Sequence, residues 1–226
     1  DSTTQPLIQR TQDTSNLLTK FNRLQFGLII FAVMILTLFT WEKTISYTRA
    51  ARAMANAHSL YAQGYMENSL YSANKAIQLA PDVATYYLFK NIVLNTFLHH
   101  QSLQMHTDCL DLMIEDENQN QYIACLKKEI HENAIVLIEI SPYNWRSTFN
   151  LADSFSNLED YASSYEYYEK TLELIPNSWV LHNKIAEAYI ASGMFKQAKD
   201  HLIDSLSVTE KYSYPNKASK LIESLP

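Results

Sequence analysis

Residues 24–41, LQFGLIIFAVMILTLFTW, carry no charged side chain. Eighteen helical residues span about 27 Å, close to the ~30 Å hydrocarbon core of a bilayer. Lys20 and Arg23 flank one end of the run, and Glu42 and Lys43 the other. Trp41 sits where an interfacial aromatic anchors a spanning helix. A buried core helix would show a polar face, and here only Gln25, Thr37 and Thr40 are polar. The run is too long for the apolar core of a cleaved leader, and no small-residue cleavage site follows it. It therefore reads as a single transmembrane helix. Orientation stays open, because Arg10, Lys20 and Arg23 before the span balance Lys43, Arg49 and Arg52 after it. Asp1, in place of Met, fits a removed start or a piece of a longer protein.

The remainder reads as helix. The chain has 3 Gly in 226 residues, where average usage gives about 16. Such scarcity excludes a phosphate-binding glycine loop, a dinucleotide-binding turn or a sandwich of many hairpins. The net charge of -6 falls entirely after residue 42, since the first 42 residues carry three basic and three acidic groups. An acidic body without a dense Lys/Arg run excludes nucleic acid as a partner. Two cysteines, Cys109 and Cys125, make no disulfide framework. They read first as small buried hydrophobes, and their spacing does not decide whether they are bonded.

Rare residues then recur at a fixed interval. Pro142 and Pro176 are 34 apart, as are Trp145 and Trp179. Aligning 145–178 with 179–212 pairs Leu151 with Ile185, Ala152 with Ala186 and Phe155 with Tyr189. It also pairs Tyr161 with Phe195 and Ser164 with Ala198. A repeat of this length is one helix–turn–helix unit that buries its apolar face against the next. Gly193 falls at the turn, where a left-handed residue is needed. An earlier unit ending at Pro81 places Leu60, Gly64, Ala73 and Ala76 at matching positions.

This pattern resembles the tetratricopeptide repeat, over roughly residues 45–212. The unit 179–212 carries Ile185, Ala186, Tyr189, Gly193, Phe195, Ala198 and Leu202; the unit 145–178 carries Leu151, Ala152, Phe155, Tyr161, Tyr168 and Pro176. The second departs at its turn, where Glu159 replaces Gly. The resemblance implies an all-α solenoid after a single transmembrane helix. The organisation read from it is a flanking segment at 1–23, the membrane helix at 24–41 and a first unit at 42–82. A divergent unit follows at 83–142, with an insertion at about 99–119. Two regular units then occupy 145–178 and 179–212, and a capping helix 213–226 closes the last apolar face. Helix breakers are absent between Gly27 and Gly64, so a stiff stalk running to about Gln63 is expected.

No catalytic constellation stands out in the sequence. His99, His100, His106 and Cys109 gather in the insertion near Asp108 and Asp111, but at no zinc-ligand spacing. His131 and Glu132 begin a zinc-protease string, yet Ile135 stands where its second histidine belongs. Glu115, Asp116 and Glu117 read as a solvated acidic turn. No catalytic, cofactor or metal residue is assigned.

Stacked repeats expose a groove lined by the first helix of each unit. The register places Met54, His58 and Tyr61 there, then Arg146, Phe149, Asn150, Asp153 and Asn157, then Asn183, Lys184 and Glu187. Some repeats of this family grip a terminal carboxylate with Lys, Asn and Arg. Asn150, Asn183 and Lys184 fit that use, while Asp153 and Glu187 oppose it.

The reading is a membrane-anchored scaffold that assembles protein partners through its groove. Lipid or neighbouring membrane helices would meet residues 24–41. An alternative is the tail of a multi-spanning enzyme, since SPYNWRSTFNLADSF and the residues after it resemble the repeats that end some bacterial O-antigen ligase/polymerase-like proteins. Its sugar-transfer residues would then lie outside this chain. A third reading is an assembly subunit held in a larger complex by its membrane helix.

Overall fold

The computed structural model describes residues 5–99, 109, 119–212 and 217–225. Among them every regular element is an α-helix, and there is no strand. In chain order these are α1 (Gln5–Ala62), α2 (Met66–Leu79), α3 (Ala84–His99) and α4 (Gln119–Ile140). Then come α5 (Trp145–Asn157), α6 (Tyr161–Leu174), α7 (Trp179–Ala191), α8 (Phe195–Tyr212) and α9 (Ala218–Ser224). Residues 1–49 and 50–226 form separate units.

The first unit is the long helical stretch of α1. Its side chains from Gln25 to Ile45 are exposed, including Phe31, Leu36, Phe39 and Trp41. By length and composition it is a helix able to cross a membrane.

In the second unit, consecutive helices pack in pairs, joined by short turns except between α3 and α4, which the insertion separates. The last turns of α1, with α2, make the first pair; α3 and α4, α5 and α6, and α7 and α8 follow. This is an α-solenoid. Side-chain caps fix where the later helices start: Asn144 accepts from Arg146 N at 3.0 Å, Asp160 from Ser163 N at 3.2 Å, and Ser178 from Leu181 N at 3.3 Å.

Three of the inter-helix turns share one geometry. Gly64, Glu159 and Gly193 all have positive φ, at 84°, 65° and 75°. In each, the following N–H bonds the carbonyl five residues back: Tyr65 to Leu60, Asp160 to Phe155 and Met194 to Tyr189, at 2.8–3.0 Å. Each turn residue also bonds three residues back, which completes a Schellman cap. The departure at Glu159 is thus one of residue type only. The turn is kept at the cost of a left-handed conformation on a residue with a Cβ.

Two apolar clusters hold the solenoid. The first gathers Ala57, Leu70, Ala73, Phe89, Leu94, Leu126 and Ile130, among others. The second gathers Ala152, Tyr168, Leu181, Ile185, Ala186, Ala198 and Leu202, and α9 adds Ala218 with Leu221 and Ile222 against it. Capping by the last helix therefore buries real apolar surface.

Cys109 and Cys125 are joined in a disulfide, with a Cα separation of 6.0 Å. This corrects the expectation of two small buried thiols. Cys109 lies in the first cluster, with Cys125 on α4 packed beside it. A bonded sulfur offers no thiolate, so the insertion loses its sulfur ligand. Apart from His99, Cys109 and Gln119, the insertion at 99–119 lies outside the described residues, as do His100 and His106.

The shared turn makes a paired prediction. Gly193→Ala should destabilise by about 1 kcal/mol, because only the glycine is unstrained there. Glu159→Gly should be neutral or stabilising by up to about 1 kcal/mol, the relieved strain outweighing an exposed ion pair to Lys127. Urea midpoints of the two variants measure the opposite signs.

Candidate functional site

A line of polar side chains runs along α3 and α5, the first helices of their pairs, with Asn133 added from α4. At its centre is an amide ladder through α4, α3 and α5. Asn133 Nδ2 donates to Asn91 Oδ1 at 2.6 Å, and Asn91 Nδ2 donates to Asn150 Oδ1 at 3.4 Å. One turn on, Asn157 Nδ2 donates to Asn95 Oδ1 at 3.2 Å. Asn91 and Asn133 are buried, so each needs such a partner.

Asp153 on α5 joins the ladder to α7. It accepts from the Tyr168 hydroxyl and from Lys184 Nζ, the latter at 3.1 Å. Burial and the Asp153 carboxylate push the Tyr168 hydroxyl well above the usual phenol range, so it stays a donor. Glu187 accepts from Lys217 at the start of the closing segment. Both acidic residues expected to oppose an anionic ligand are therefore already neutralised by lysines.

Beyond them lies a cavity of about 540 Å³, lined by Trp179, Val180, Asn183, Lys184, Glu187, Lys217 and Lys220. Its wall is apolar at Trp179 and Val180, and its rim carries three lysines. Such a mixture suits an apolar side chain flanked by carboxylates.

The structure sorts the residues expected to line the groove. Asn183, Lys184 and Glu187 share this cavity. Asn150, Asp153 and Asn157 follow one another along α5 and bond to its neighbours. Phe149 is half-buried against Tyr168, with ring centroids 5.7 Å apart. Arg146 is exposed and lies over the Trp145 ring at 4.5 Å. His58 rests on Phe89 at 3.9 Å, and the Tyr61 hydroxyl pairs with Thr96 at 3.0 Å. Met54 is buried within the first cluster and packs the core.

Sequence reasoning missed Asn91 and Asn95, which lie in the divergent unit where no register was available. Their four-residue spacing on a helix was the signal. It also missed Lys217 and Lys220, which come from the closing segment rather than a repeat.

Comparison with known proteins places this geometry. Residues 146–178 match the tetratricopeptide repeat. The MamA RS-1 ArsTM double mutant is 13% identical, covers 74% of this chain and 78% of its own, and superposes with a TM-score of 0.57. A crystal structure of MamA is 15% identical over 73% of this chain and 80% of its own, with a TM-score of 0.56. MamA from MSR-1 is 16% identical over 71% and 76%, with a TM-score of 0.53. At these identities the likeness is one of fold: an α-solenoid of tetratricopeptide type. No curated protein matches the sequence.

The Asp153–Tyr168 contact should be coupled. Asp153→Ala leaves a buried hydroxyl without its acceptor and should cost about 1–3 kcal/mol. In the background of Tyr168→Phe the same change should cost less, giving a coupling of about 1 kcal/mol in a double-mutant cycle read by urea unfolding.

Proposed function

We propose that the chain is a membrane-anchored scaffold that holds a partner protein by an acidic segment in the cavity between α7 and α9. The cavity carries this reading: Lys220 and the ion-paired Lys184 and Lys217 stand beside an apolar wall and leave an excess of one positive charge, on a chain whose net charge is -6. At physiological salt, charges more than about 8 Å away are largely screened, so the acidic body does not oppose a ligand seated among those lysines. Binding, rather than chemistry, is the task such a surface fits. The resemblance to ligase-like tails gains nothing further from the described residues.

Anchoring rests on the length and composition of the apolar stretch, and its polar groups are compatible with lipid. Thr37 Oγ1 donates to Met34 O at 2.8 Å, and Thr40 Oγ1 donates to Thr37 O at 2.9 Å. The hydroxyls are satisfied inside the helix, as a lipid environment demands. The disulfide supports one of the two orientations that the flanking charges left open. Disulfides persist on the oxidising side of a membrane. The orientation we propose puts the solenoid outside the cytoplasm and residues 1–23 on the cytoplasmic side.

Two experiments test this. A photo-crosslinking residue at Val180 should capture a partner in cells, and Lys220→Glu should abolish that product. The same probe at Ile203, on the exposed side of α8, should capture none. Equal yields from both positions would reject the cavity as the binding site. Separately, Cys109 and Cys125 should resist alkylation in freshly lysed cells until a reductant is added. Free thiols at both would reject the orientation.

A further inference from the structure

Two histidines meet across the last helix pair. His182 on α7 and His201 on α8 approach Nδ1 to Nδ1 at 3.2 Å. Asp204 follows His201 by three residues, on the same face of α8. The three side chains offer ligand atoms that all lie within 4.8 Å of one another. None of the three lines the lysine cavity, although α7 serves both.

The ring separation suits a shared ion. Tetrahedral zinc with metal–nitrogen bonds of about 2.0–2.1 Å sets two ligand nitrogens roughly 3.3 Å apart. Both rings also have an outer partner. His182 donates to the Pro176 carbonyl, which commits its proton to one nitrogen and leaves a lone pair on the other. His201 turns Nε2 toward Glu169 Oε1 at 3.9 Å. Glu169 is itself held by the Tyr189 hydroxyl, and the Tyr189 ring stacks on His201 at 5.6 Å. A carbonyl thus stands behind one histidine, and a carboxylate lies 3.9 Å from the other, beyond hydrogen-bond reach, where it acts through its charge.

We propose that His182, His201 and Asp204 bind a divalent transition-metal ion of the zinc class, clamping α7 to α8. Two imidazoles and a single carboxylate favour such an ion over magnesium or calcium, which take oxygen donors. His182 is buried while Asp204 is exposed, so the ion enters from the Asp204 side. Three protein ligands leave a fourth position facing solvent.

The test uses the full chain in detergent, without a histidine tag and stripped of metal, titrated with Co²⁺ and then Zn²⁺. One equivalent of Co²⁺ should bring up the intense visible bands of a four-coordinate site, and Zn²⁺ should remove them. His201→Ala should abolish the bands. Because a change beside the core can disturb folding, two exposed positions carry the test as well. Asp204→Asn should weaken binding by tenfold or more, a loss on the order of those seen at metal sites, and Glu169→Gln by about 10–100-fold. Circular dichroism should be unchanged in both. No bands with the parent chain would overturn the site and leave a histidine–histidine hydrogen bond. Undiminished binding in His201→Ala and Asp204→Asn would overturn it equally, by placing the ion elsewhere.

Discussion

Everything in the solenoid depends on how closely its helices approach. The approach is set by small side chains at the contacts. Ala57, Ala73 and Ala76 in the first cluster, and Ala152, Ala186 and Ala198 in the second, are fully covered. The Ser69 hydroxyl reaches the Ala57 carbonyl on the neighbouring helix at 2.8 Å, a contact that a larger residue would prevent. Larger residues at these places would overpack and push the pairs apart. Once the helices are close, Leu94, Leu126, Ile185 and Leu202 fill the remaining volume, and the polar groove follows from what is left facing outward.

These small residues also made the architecture legible. A 34-residue interval puts Ala152 over Ala186 and Ser164 over Ala198, all four fully buried. The turn was legible too, since Gly64 and Gly193 sit where φ must be positive. Glu159 shows the limit of that inference. Turn geometry can persist through hydrogen bonds after the favoured residue has gone. Elsewhere the sequence was silent for physical reasons. The disulfide joins residues 16 apart, and no local pattern encodes which thiols will be neighbours. His182 and His201 are 19 apart on different helices, so they meet only through the packing of α7 on α8. Met54 was assigned to the groove by register alone, and the face it shares with His58 and Tyr61 packs toward Phe89 and the first cluster.

The site itself was half readable. Asn183, Lys184 and Glu187 come from one helix face and were visible as such. Their effect could not be read, because it depends on Tyr168, Lys217 and Lys220 from other elements. Asp153 and Glu187 looked like obstacles to an anion when taken singly. With Lys184 and Lys217 against them, they become the fixed ends of ion pairs that hold the lysines in place. Charge counted along a sequence says little about charge presented at a surface.

The amide ladder has a mechanical consequence. It links α3 to α5 through asparagines, of which Asn91 is fully buried. Beside it α4 packs on α5 through His131 against Phe155 and Ser154 and through the Lys127–Glu159 ion pair. A hydrogen bond is directional, whereas an apolar contact tolerates sliding. The ladder therefore acts as a set of pins: it fixes how one helix pair is rotated against the next, while the apolar contacts supply the cohesion.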